Sequence, residues 1–393
     1  MPAIYLDHLS AARPHPEVIT AMIPYLGDPH YGNPSSRHQF GEPTRTAVDD
    51  ARQQVSELVG CQPEEILFTA SGSESNNLAI KGILAGRPKP GHIITTAVEH
   101  MSVLHPIRTL EEKGHPVTRL GVDRHGRVDP DDLRHSLRPD TALVTIGHGI
   151  GEVGTVQPIA DLAAIADDAG VPFHTDAMAT SGIVPVDLSR VPIAAASMSP
   201  HRFHGPAGAG ILFLRQGVIL KPEIEGGVQE SGLRAGTENV AAIVGSGVAA
   251  RLARRQAPAW RTRLDSLARQ FRMGLKDRLS GWIPTGHPED RIPGHLSLCI
   301  QGVEGEAVLE GLDRAGIAAA TGSACASEAL KDSYVLEALG LAAPLRRSSL
   351  VFSFGIFNQD QEIDAVLEIL PGIVSRLRAI SPFGDSFAES VSS

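Results

Sequence analysis

The stretch Ser197-Met198-Ser199-Pro200-His201-Arg202-Phe203-His204-Gly205-Pro206 sets an arginine directly after one histidine and two residues before another. A guanidinium stays protonated at any accessible pH. Arg202 therefore cannot attack an aldehyde in the way that a deprotonated lysine amine can. Whatever chemistry this segment supports, the sequence excludes an imine at position 202.

Short apolar runs alternate with longer amphipathic stretches on both sides of this segment. Strands and helices that alternate at this spacing are typical of βαβ units around a mostly parallel sheet, so we predict an α/β fold. The predicted strands are Glu65–Thr69, His92–Thr96, Ala142–Ile146, Val171–His174 and Gly210–Leu214. The predicted helices are Pro43–Val59, Glu74–Ala85, Val103–Lys113, Ile159–Ala169 and Asn239–Gln256.

A second, smaller α+β unit is predicted beyond the Arg- and Ala-rich stretch Arg251–Arg263, which indicates a change of domain. We therefore predict a large α/β domain over residues 15–257 and a small domain over residues 1–14 and 258–382, which carries Cys325. The polar tail, residues 383–393, is expected to be disordered. The predicted elements of the small domain are the helices Leu264–Leu279 and Gln361–Ala379 and the strands His295–Gln301 and Leu350–Phe354.

Composition excludes several classes of function. The formal net charge is −10 and no basic stripe carries interleaved aromatic residues, so nucleic acid is not an expected ligand. No apolar run reaches the roughly 18 residues that a membrane span requires. The N-terminus lacks the features of a signal peptide, so we expect a cytoplasmic protein. The three cysteines, Cys61, Cys299 and Cys325, fit neither a disulfide framework nor a zinc site, and no metal is expected.

Seven short motifs stand in a fixed order between Tyr5 and about Pro382: Tyr5-Leu6-Asp7, residues 32–36 (GNPSS), 73–77 (SESNN), Glu99-His100, 174–177 (HTDA), 232–239 (GLRAGTEN) and 322–325 (GSAC). In this order and spacing the chain resembles the cysteine desulfurases, which are class V aminotransferases. In that family the residue at position 202 is the lysine that holds pyridoxal phosphate (PLP). The resemblance implies a PLP-dependent transferase fold of type I, with a large domain around a mixed, mostly parallel sheet and a smaller α+β domain. It also implies a homodimer with active sites at the subunit interface.

The resemblance also assigns roles to residues of this chain. Ser73, Ser199, His201 and the partner subunit's Thr237 correspond to the phosphate cup, and a helix N-terminus at Ser73 favours an anion. Asp176 corresponds to the carboxylate that pairs with the pyridinium nitrogen. His100 corresponds to the ring-stacking histidine that can move protons. Cys325 corresponds to the mobile-loop cysteine that accepts sulfur. The same residues would also persist if they only capped helices and satisfied buried polar groups.

Several positions around the same pocket depart from the family pattern. The family's His-Ala-Asn-Asn-Glu appears as residues 148–152 (HGIGE), and its Asp-Ala-Val-Gln as residues 176–179 (DAMA). The arginine that clamps the substrate carboxylate is replaced by Val351. We expect a larger and more apolar pocket, of the kind that suits small-molecule ligands.

These departures lead to the hypothesis that the protein is not a working cysteine desulfurase and binds no cofactor. It would be a PLP-independent lyase, cyclase or transferase acting on a small apolar substrate. Cys325, His100, Arg202, Glu152 and His8 are its candidate catalytic residues. One alternative is a non-catalytic partner of a sulfur-acceptor protein or of an active desulfurase. Another is an enzyme that holds PLP non-covalently in the cradle of Ser73, Asp176, Ser199, His201 and Thr237.

Overall fold

The computed structural model describes residues 3–322 and 332–381. Cys325 and the predicted tail therefore lie outside the described residues. The strands are β1 (Ile4–Tyr5), β2 (Ile66–Thr69), β3 (His92–Thr96), β4 (Val117–Leu120), β5 (Thr141–Thr145), β6 (Phe173–Asp176), β7 (Ala195–Met198), β8 (Gly210–Leu214), β9 (Trp282–Pro284), β10 (His295–Ile300), β11 (Ile317–Ala318) and β12 (Ser349–Ser353).

Helices surround these strands. They are α1 (Pro16–Met22), α2 (Glu42–Val59), α3 (Gly72–Ala85), α4 (Met101–Glu112), α5 (Pro130–Ser136), α6 (Ile159–Asp168), α7 (Val240–Arg278), α8 (Gly305–Arg314), α9 (Tyr334–Ala338), α10 (Ala343–Arg347) and α11 (Asp360–Ile380). In the described ranges no helix combines the length and the apolarity that crossing a membrane would require.

A seven-stranded sheet in the order β2-β8-β7-β6-β5-β3-β4 forms the centre of the larger part of the chain. The strands from β7 across to β4 are parallel, and β8 is antiparallel to both of its neighbours. Strands β3, β5 and β6 are wholly buried because helices cover both faces, as a parallel sheet requires, and the edge strand β4 is partly exposed. The sheet is therefore mixed and mostly parallel, as predicted.

A separate three-stranded antiparallel sheet, β12-β10-β9, lies in the C-terminal part. Its apolar side chains form their own buried cluster with α8, α11 and the second half of α7, in which Phe271 and Phe352 pack with ring centroids 4.8 Å apart. The larger sheet has its own core on each face. The division of the chain at residues 14 and 257 stays a prediction.

Helix α7 joins the two parts without interruption. The sequence predicts a break within Arg251–Arg263, but α7 runs for 39 residues through Pro258. The helix buries Ala253 and Trp260 in the core of the larger sheet and Leu264 and Leu267 in the core of the smaller one. Its apolar stripe is therefore shared between two cores, and its arginines cover the solvent-facing side.

Candidate active site

Chemically active side chains gather where the parallel strands end. His100 follows β3, Glu152 follows β5, Asp176 closes β6, and Arg202 lies in the short 3-10 turn after β7. Parallel strands bring their carboxyl ends to one edge of a sheet, where open α/β folds bind ligands. The topology alone therefore explains why residues 100 positions apart in sequence face one pocket.

That pocket has a volume of about 170 Å³ and brings together four of the predicted residues, His100, Glu152, Asp176 and Arg202. Most of its remaining wall is apolar. Ser73, Ser199, His201, Thr237 and His8 are not part of its lining in the single chain. The apolar members are Leu9, Val98, Met101, Ile150, Met178, Ala179, Ala320, Val335 and Val351.

A hydrogen-bonded chain fixes Asp176 and His100. Asn76 Nδ2 donates to Asp176 Oδ2 at 2.8 Å, and the backbone N–H of Met178 donates to Asp176 Oδ1 at 2.9 Å. The Asn76 amide also donates to Ser102 Oγ, which lies 2.7 Å from His100 Nδ1. The Ser102 N–H donates to the same Nδ1, so a neutral His100 carries its proton on Nε2. Desolvation in the pocket lowers the pKa of His100, which favours that neutral form.

The predicted phosphate cup lies beside the pocket. Ser71, and not Ser73, is the N-cap of α3, because its Oγ accepts from Glu74 N. Gly72 and Ser73 thus supply the first amides of the helix. Met178, which lines the pocket, packs directly on Gly72, where an added Cβ would lie 1.9 Å from Met178 Sδ.

The other half of the cup is the turn after β7. Ser199 Oγ lies 2.8 Å from His201 Nδ1. Desolvation and the neighbouring Arg202 lower the pKa of His201 to about 4, so its imidazole is neutral near pH 7. Thr237 is exposed in the loop before α7, where a second chain could meet it.

Two carboxyl groups face the pocket, the buried Glu99 and the partly buried Glu152. Burial raises the pKa of Glu99 and that of Glu152 to about 7 each. Glu99 accepts from Thr96 Oγ1 at 2.8 Å and from Gly147 N at 3.0 Å. Glu152 accepts from Ser333 Oγ and packs on Gly322, where a Cβ would lie 2.1 Å from Glu152 Oε1. Sequence reasoning missed Glu99 as a site residue, although its place between a strand end and His100 was a usable signal.

Glu152 is expected to make stability depend on pH. Its pKa is about 7 in the folded protein and about 4.5 when unfolded, so between these values the native state holds a proton that the unfolded chain has released. The free energy of unfolding should therefore fall as pH rises from 4.5 to 7 and level off above. Glu152→Gln cannot titrate, so its denaturant midpoint should fall less between pH 5 and pH 8. If the denaturant midpoints of wild type and Glu152→Gln decrease equally between pH 5 and pH 8, Glu152 does not hold a proton in the folded protein.

His8, a candidate catalytic residue in the sequence, is not part of the pocket lining. Its ring packs on Gly355, where a Cβ would lie 2.3 Å from His8 Cε1, and edge-on to Tyr5 with ring centroids 4.9 Å apart. Burial lowers the pKa of His8 to about 4, and Nδ1 has no hydrogen-bond partner among the described residues. His8 is therefore buried outside the lining of the pocket.

Two of the cysteines are poor nucleophiles. Cys61 and Cys299 are both free thiols, and burial raises the pKa of each to about 12. The thiolate is the reactive form of cysteine, so neither is ionised to a useful extent near pH 7. In the described ranges no group of three or more histidine, cysteine and acidic side chains is placed to hold a metal ion.

Comparison with known proteins yields one family and many relatives. The aminotransferase class-V family matches residues 4–366. Cysteine desulfurase IscS of Dictyoglomus turgidum is 42% identical over 97% of this chain and 96% of the relative. A cysteine desulfurase of Gluconacetobacter diazotrophicus is 42% identical over 99% and 97%, respectively. Among solved structures, a NifS-like protein superposes with a TM-score of 0.89 at 31% identity, covering 95% of this chain and all of the other.

A structure described as SspA in complex with cysteine is also similar. Its TM-score is 0.81 at 31% identity, with 91% of this chain and 100% of the other covered. These neighbours confirm the predicted PLP-dependent transferase fold of type I with its mixed, mostly parallel sheet. The prediction of an enzyme is supported as well, since the relatives are enzymes.

The same findings overturn two predictions. The chain was expected not to be a working cysteine desulfurase, with a PLP-independent enzyme or a non-catalytic partner in its place. That is wrong, because relatives about 42% identical over nearly the whole chain are named cysteine desulfurases. The expectation of no cofactor is wrong too, because class V aminotransferases and cysteine desulfurases depend on PLP. As evidence for the function, a few altered pocket positions count for less than the sequence identity to cysteine desulfurases along the rest of the chain.

Proposed function

The chain belongs to the class V aminotransferase family, and we propose that it acts there as a PLP-dependent cysteine desulfurase in which Arg202 binds the substrate carboxylate. The names of its relatives and the similar structure solved with cysteine support this proposal. The observation that carries it is the meeting of Asp176, His100 and Arg202 in one pocket at the carboxyl ends of the strands.

The residues present fit the ring and the phosphate of PLP. Asp176 has both oxygens held in place by neutral donors, which suits an anionic partner for a pyridinium N–H. The amides at the start of α3 and the Ser199–His201 pair suit the phosphate. Position 202 offers no amine, so no covalent attachment is assigned there. When bound, PLP supplies an aldehyde that condenses with amines and a ring that accepts an electron pair.

Arg202 is the proposed clamp for the carboxylate of cysteine. Of the described residues that line the pocket, it is the one arginine or lysine, and Val351 lines the same pocket. Its charge acts on one group in the pocket and one beside it, since it opposes the rise in the pKa of Asp7 and lowers the pKa of His201. A guanidinium binds a carboxylate through two parallel N–H···O bonds, which fixes the orientation of the substrate as well as its affinity.

Proton transfer is assigned to the neutral groups of the pocket. His100 holds a proton on Nε2 and is fixed at Nδ1 by Ser102, which suits a group that exchanges protons with the substrate. Glu99 and Glu152, whose pKa values are about 7, keep further protons available in the same pocket near neutral pH. The apolar wall excludes water from these exchanges.

Cys325 is the proposed sulfur acceptor, on the strength of the sequence alone. It lies outside the described residues. Burial holds the pKa of Cys61 and that of Cys299 near 12, which argues against either of them in this role. Cys325 is then the remaining cysteine of the chain.

A homodimer is part of the proposal. Large apolar side chains are exposed in two short segments of the single chain, residues 19–40 and 219–228. Exposed apolar area on this scale marks an interaction surface. Thr237 follows the second segment and is exposed, so a second copy docked there could receive it at its own phosphate cup. The exposed side chains are Ile19, Ile23, Leu26, Tyr31, Phe40, Ile219, Ile224 and Val228.

The test is an assay of the purified protein with added PLP, L-cysteine and dithiothreitol, a thiol that reduces the transferred persulfide sulfur to sulfide. Alanine and sulfide are expected as products, PLP should co-elute with the protein, and light scattering should give twice the chain mass. Arg202→Met removes the charge at similar length. It should raise KM for cysteine roughly 10- to 100-fold, because a hydrogen bond to a charged group contributes about 1.5–3 kcal/mol.

Arg190→Met is the matched control, since Arg190 is an exposed arginine remote from the pocket whose side chain is 84% accessible. It should leave KM unchanged. A wild-type protein that binds PLP but forms no alanine would contradict the desulfurase assignment. A wild-type protein that forms alanine while Arg202→Met keeps its KM would contradict only the role of Arg202.

A further inference from the structure

A second cavity lies on the other side of β6 from the active-site pocket. It has a volume of about 220 Å³, and we call it the back cavity. Side chains alternate across a strand, so Asp176 faces the pocket while its neighbour Thr175 faces the back cavity. The lining of the back cavity comes from the end of α2, from the segment that begins at Thr175, from β7 and from α7. Its members include Leu58, Val59, Thr175, Ala177, Thr180, Ser181, Gly182, Ile183, Val184, Pro185, Val186, Leu188, Ala196, Met198, Ala253, Arg254, Ala257, Pro258 and Arg261.

The inner end of the back cavity contains an unsatisfied hydroxyl. Thr175 is 1% exposed, and its Oγ1 has no hydrogen-bond partner among the described residues. Buried polar atoms in native proteins are nearly always paired, so an orphan that faces a cavity indicates a missing partner. His148 lines the same end, with Nδ1 2.8 Å from Thr180 Oγ1. Burial lowers the pKa of His148 to about 4, so this end is polar but uncharged.

The remaining wall limits what could fill the space. It is mainly apolar, with Ile183, Val184 and Val186 on one side and Ala253 on the other. Arginines stand only at the rim, and Arg254 there is already paired with Glu57 at 2.6 Å. A charged ligand would have to bury its charge beyond them without a counter-ion, which is costly. An apolar cavity of about 150 Å³ can hold benzene, so this one has room for a six-membered ring with a substituent.

We propose that the back cavity is a binding site for a small, neutral, mainly apolar molecule with one hydroxyl or carbonyl group. That group hydrogen-bonds to Thr175 Oγ1, and the body of the molecule fills the space between the Ile183–Val186 segment and α7. The site is distinct from the active-site pocket, and its occupant touches the strand that ends in Asp176. The proposal does not depend on the activity of the protein.

The test compares phenol with toluene as probes, using ligand-observed NMR titration of the full-length protein. Phenol should bind saturably with one site per chain and more tightly than toluene. Thr175→Val removes the hydroxyl and should weaken phenol about fivefold while changing toluene less than twofold. Ala257→Phe places a ring at the rim from a partly exposed position on α7 and should abolish binding of both probes at this site.

Each other outcome overturns part of the proposal. If phenol shows no saturable binding, or binds Ala257→Phe as it binds wild type, the back cavity is not a site and any binding lies elsewhere. If Thr175→Val keeps the full affinity for phenol, the hydroxyl is not the recognition group. Circular dichroism and thermal midpoints of both variants should match wild type, which separates loss of the site from loss of the fold.

Discussion

Asp176→Asn is expected to lower kcat/KM for alanine formation by roughly 10²- to 10³-fold, the range seen when one preorganised electrostatic group is removed from an active site. The substitution keeps the shape of the side chain. Its oxygen can still accept from Met178 N or Asn76 Nδ2, which hold the carboxylate at 2.9 and 2.8 Å. The negative charge is lost, and with it the partner that keeps the ring nitrogen of PLP protonated.

The measurement is steady-state formation of alanine from cysteine with saturating PLP, together with the PLP absorption spectrum of each protein. Asp131→Asn is the matched control, because Asp131 is an exposed aspartate whose ion pair with Arg134 is also exposed. It should retain full activity. An Asp176→Asn protein that turns over at the wild-type rate would contradict the placement of Asp176 at the ring nitrogen.

The strands of the central sheet were largely predictable because they are short apolar runs bounded by polar turns. β3 and β8 begin and end at the predicted residues. β6 was predicted at Val171–His174 but occupies Phe173–Asp176, so Thr175 and Asp176 belong to the strand. Polar residues at a strand end look like a turn in sequence, but the β7 partner pairs with both of them. Pairing across the sheet, which local propensity cannot reveal, decided the boundary.

The candidate site was predictable in its position and less so in its chemistry. The resemblance assigned roles to His100 and Asp176, and the sequence made Glu152 and Arg202 candidate catalytic residues. All four line one pocket. Glu99 was noted only as part of the Glu99-His100 landmark, because its protonated carboxyl near pH 7 follows from its burial in the fold.

The altered pocket positions led to the wrong function because single residues were judged without their neighbours. Val351 removes one arginine from the family pattern, yet Arg202 brings another to the same pocket. A sequence comparison position by position records a loss at one site and a substitution at the other. Only the folded chain indicates that Arg202 can take over the carboxylate contact of the arginine that Val351 replaces.

Glu230→Ala is expected to lower the free energy of unfolding by about 3–5 kcal/mol, the cost of leaving a buried charge without its partner. The Glu230 side chain is 2% exposed and pairs with Arg52 through two hydrogen bonds, each 2.8 Å long. It also accepts from Phe68 N in β2 at 2.9 Å. Its removal would leave the Arg52 guanidinium, which also donates to Ile66 O, without its carboxylate, and would leave the N–H of Phe68 without this acceptor.

The Arg52–Glu230 ion pair also stabilises an unusual backbone conformation. Glu230 and Ser231 have φ values of 47° and 59°, in the left-handed region that few residues other than glycine adopt. The contacts of the Glu230 carboxylate with α2 and β2 offset that cost, so its loss should loosen the segment that leads to Thr237. Because the segment precedes the exposed loop that we assign to the dimer, Glu230→Ala should also weaken dimerisation.

The comparison variant is Glu223→Ala, which breaks the half-exposed pair with Lys81 (2.7 Å; side chains 34% and 33% exposed). A surface pair of this kind contributes only about 0–1 kcal/mol. Urea unfolding of both variants is measured at one protein concentration, low enough that the proteins are monomeric. The measurement then reports the stability of the single chain.

The free energy of unfolding of Glu230→Gln should lie between those of wild type and Glu230→Ala, because an amide oxygen can still accept from Arg52 or Phe68 N without carrying charge. Equal midpoints for Glu230→Ala and Glu223→Ala would show that the buried pair adds no more than a surface pair, and that the left-handed segment is held by other contacts.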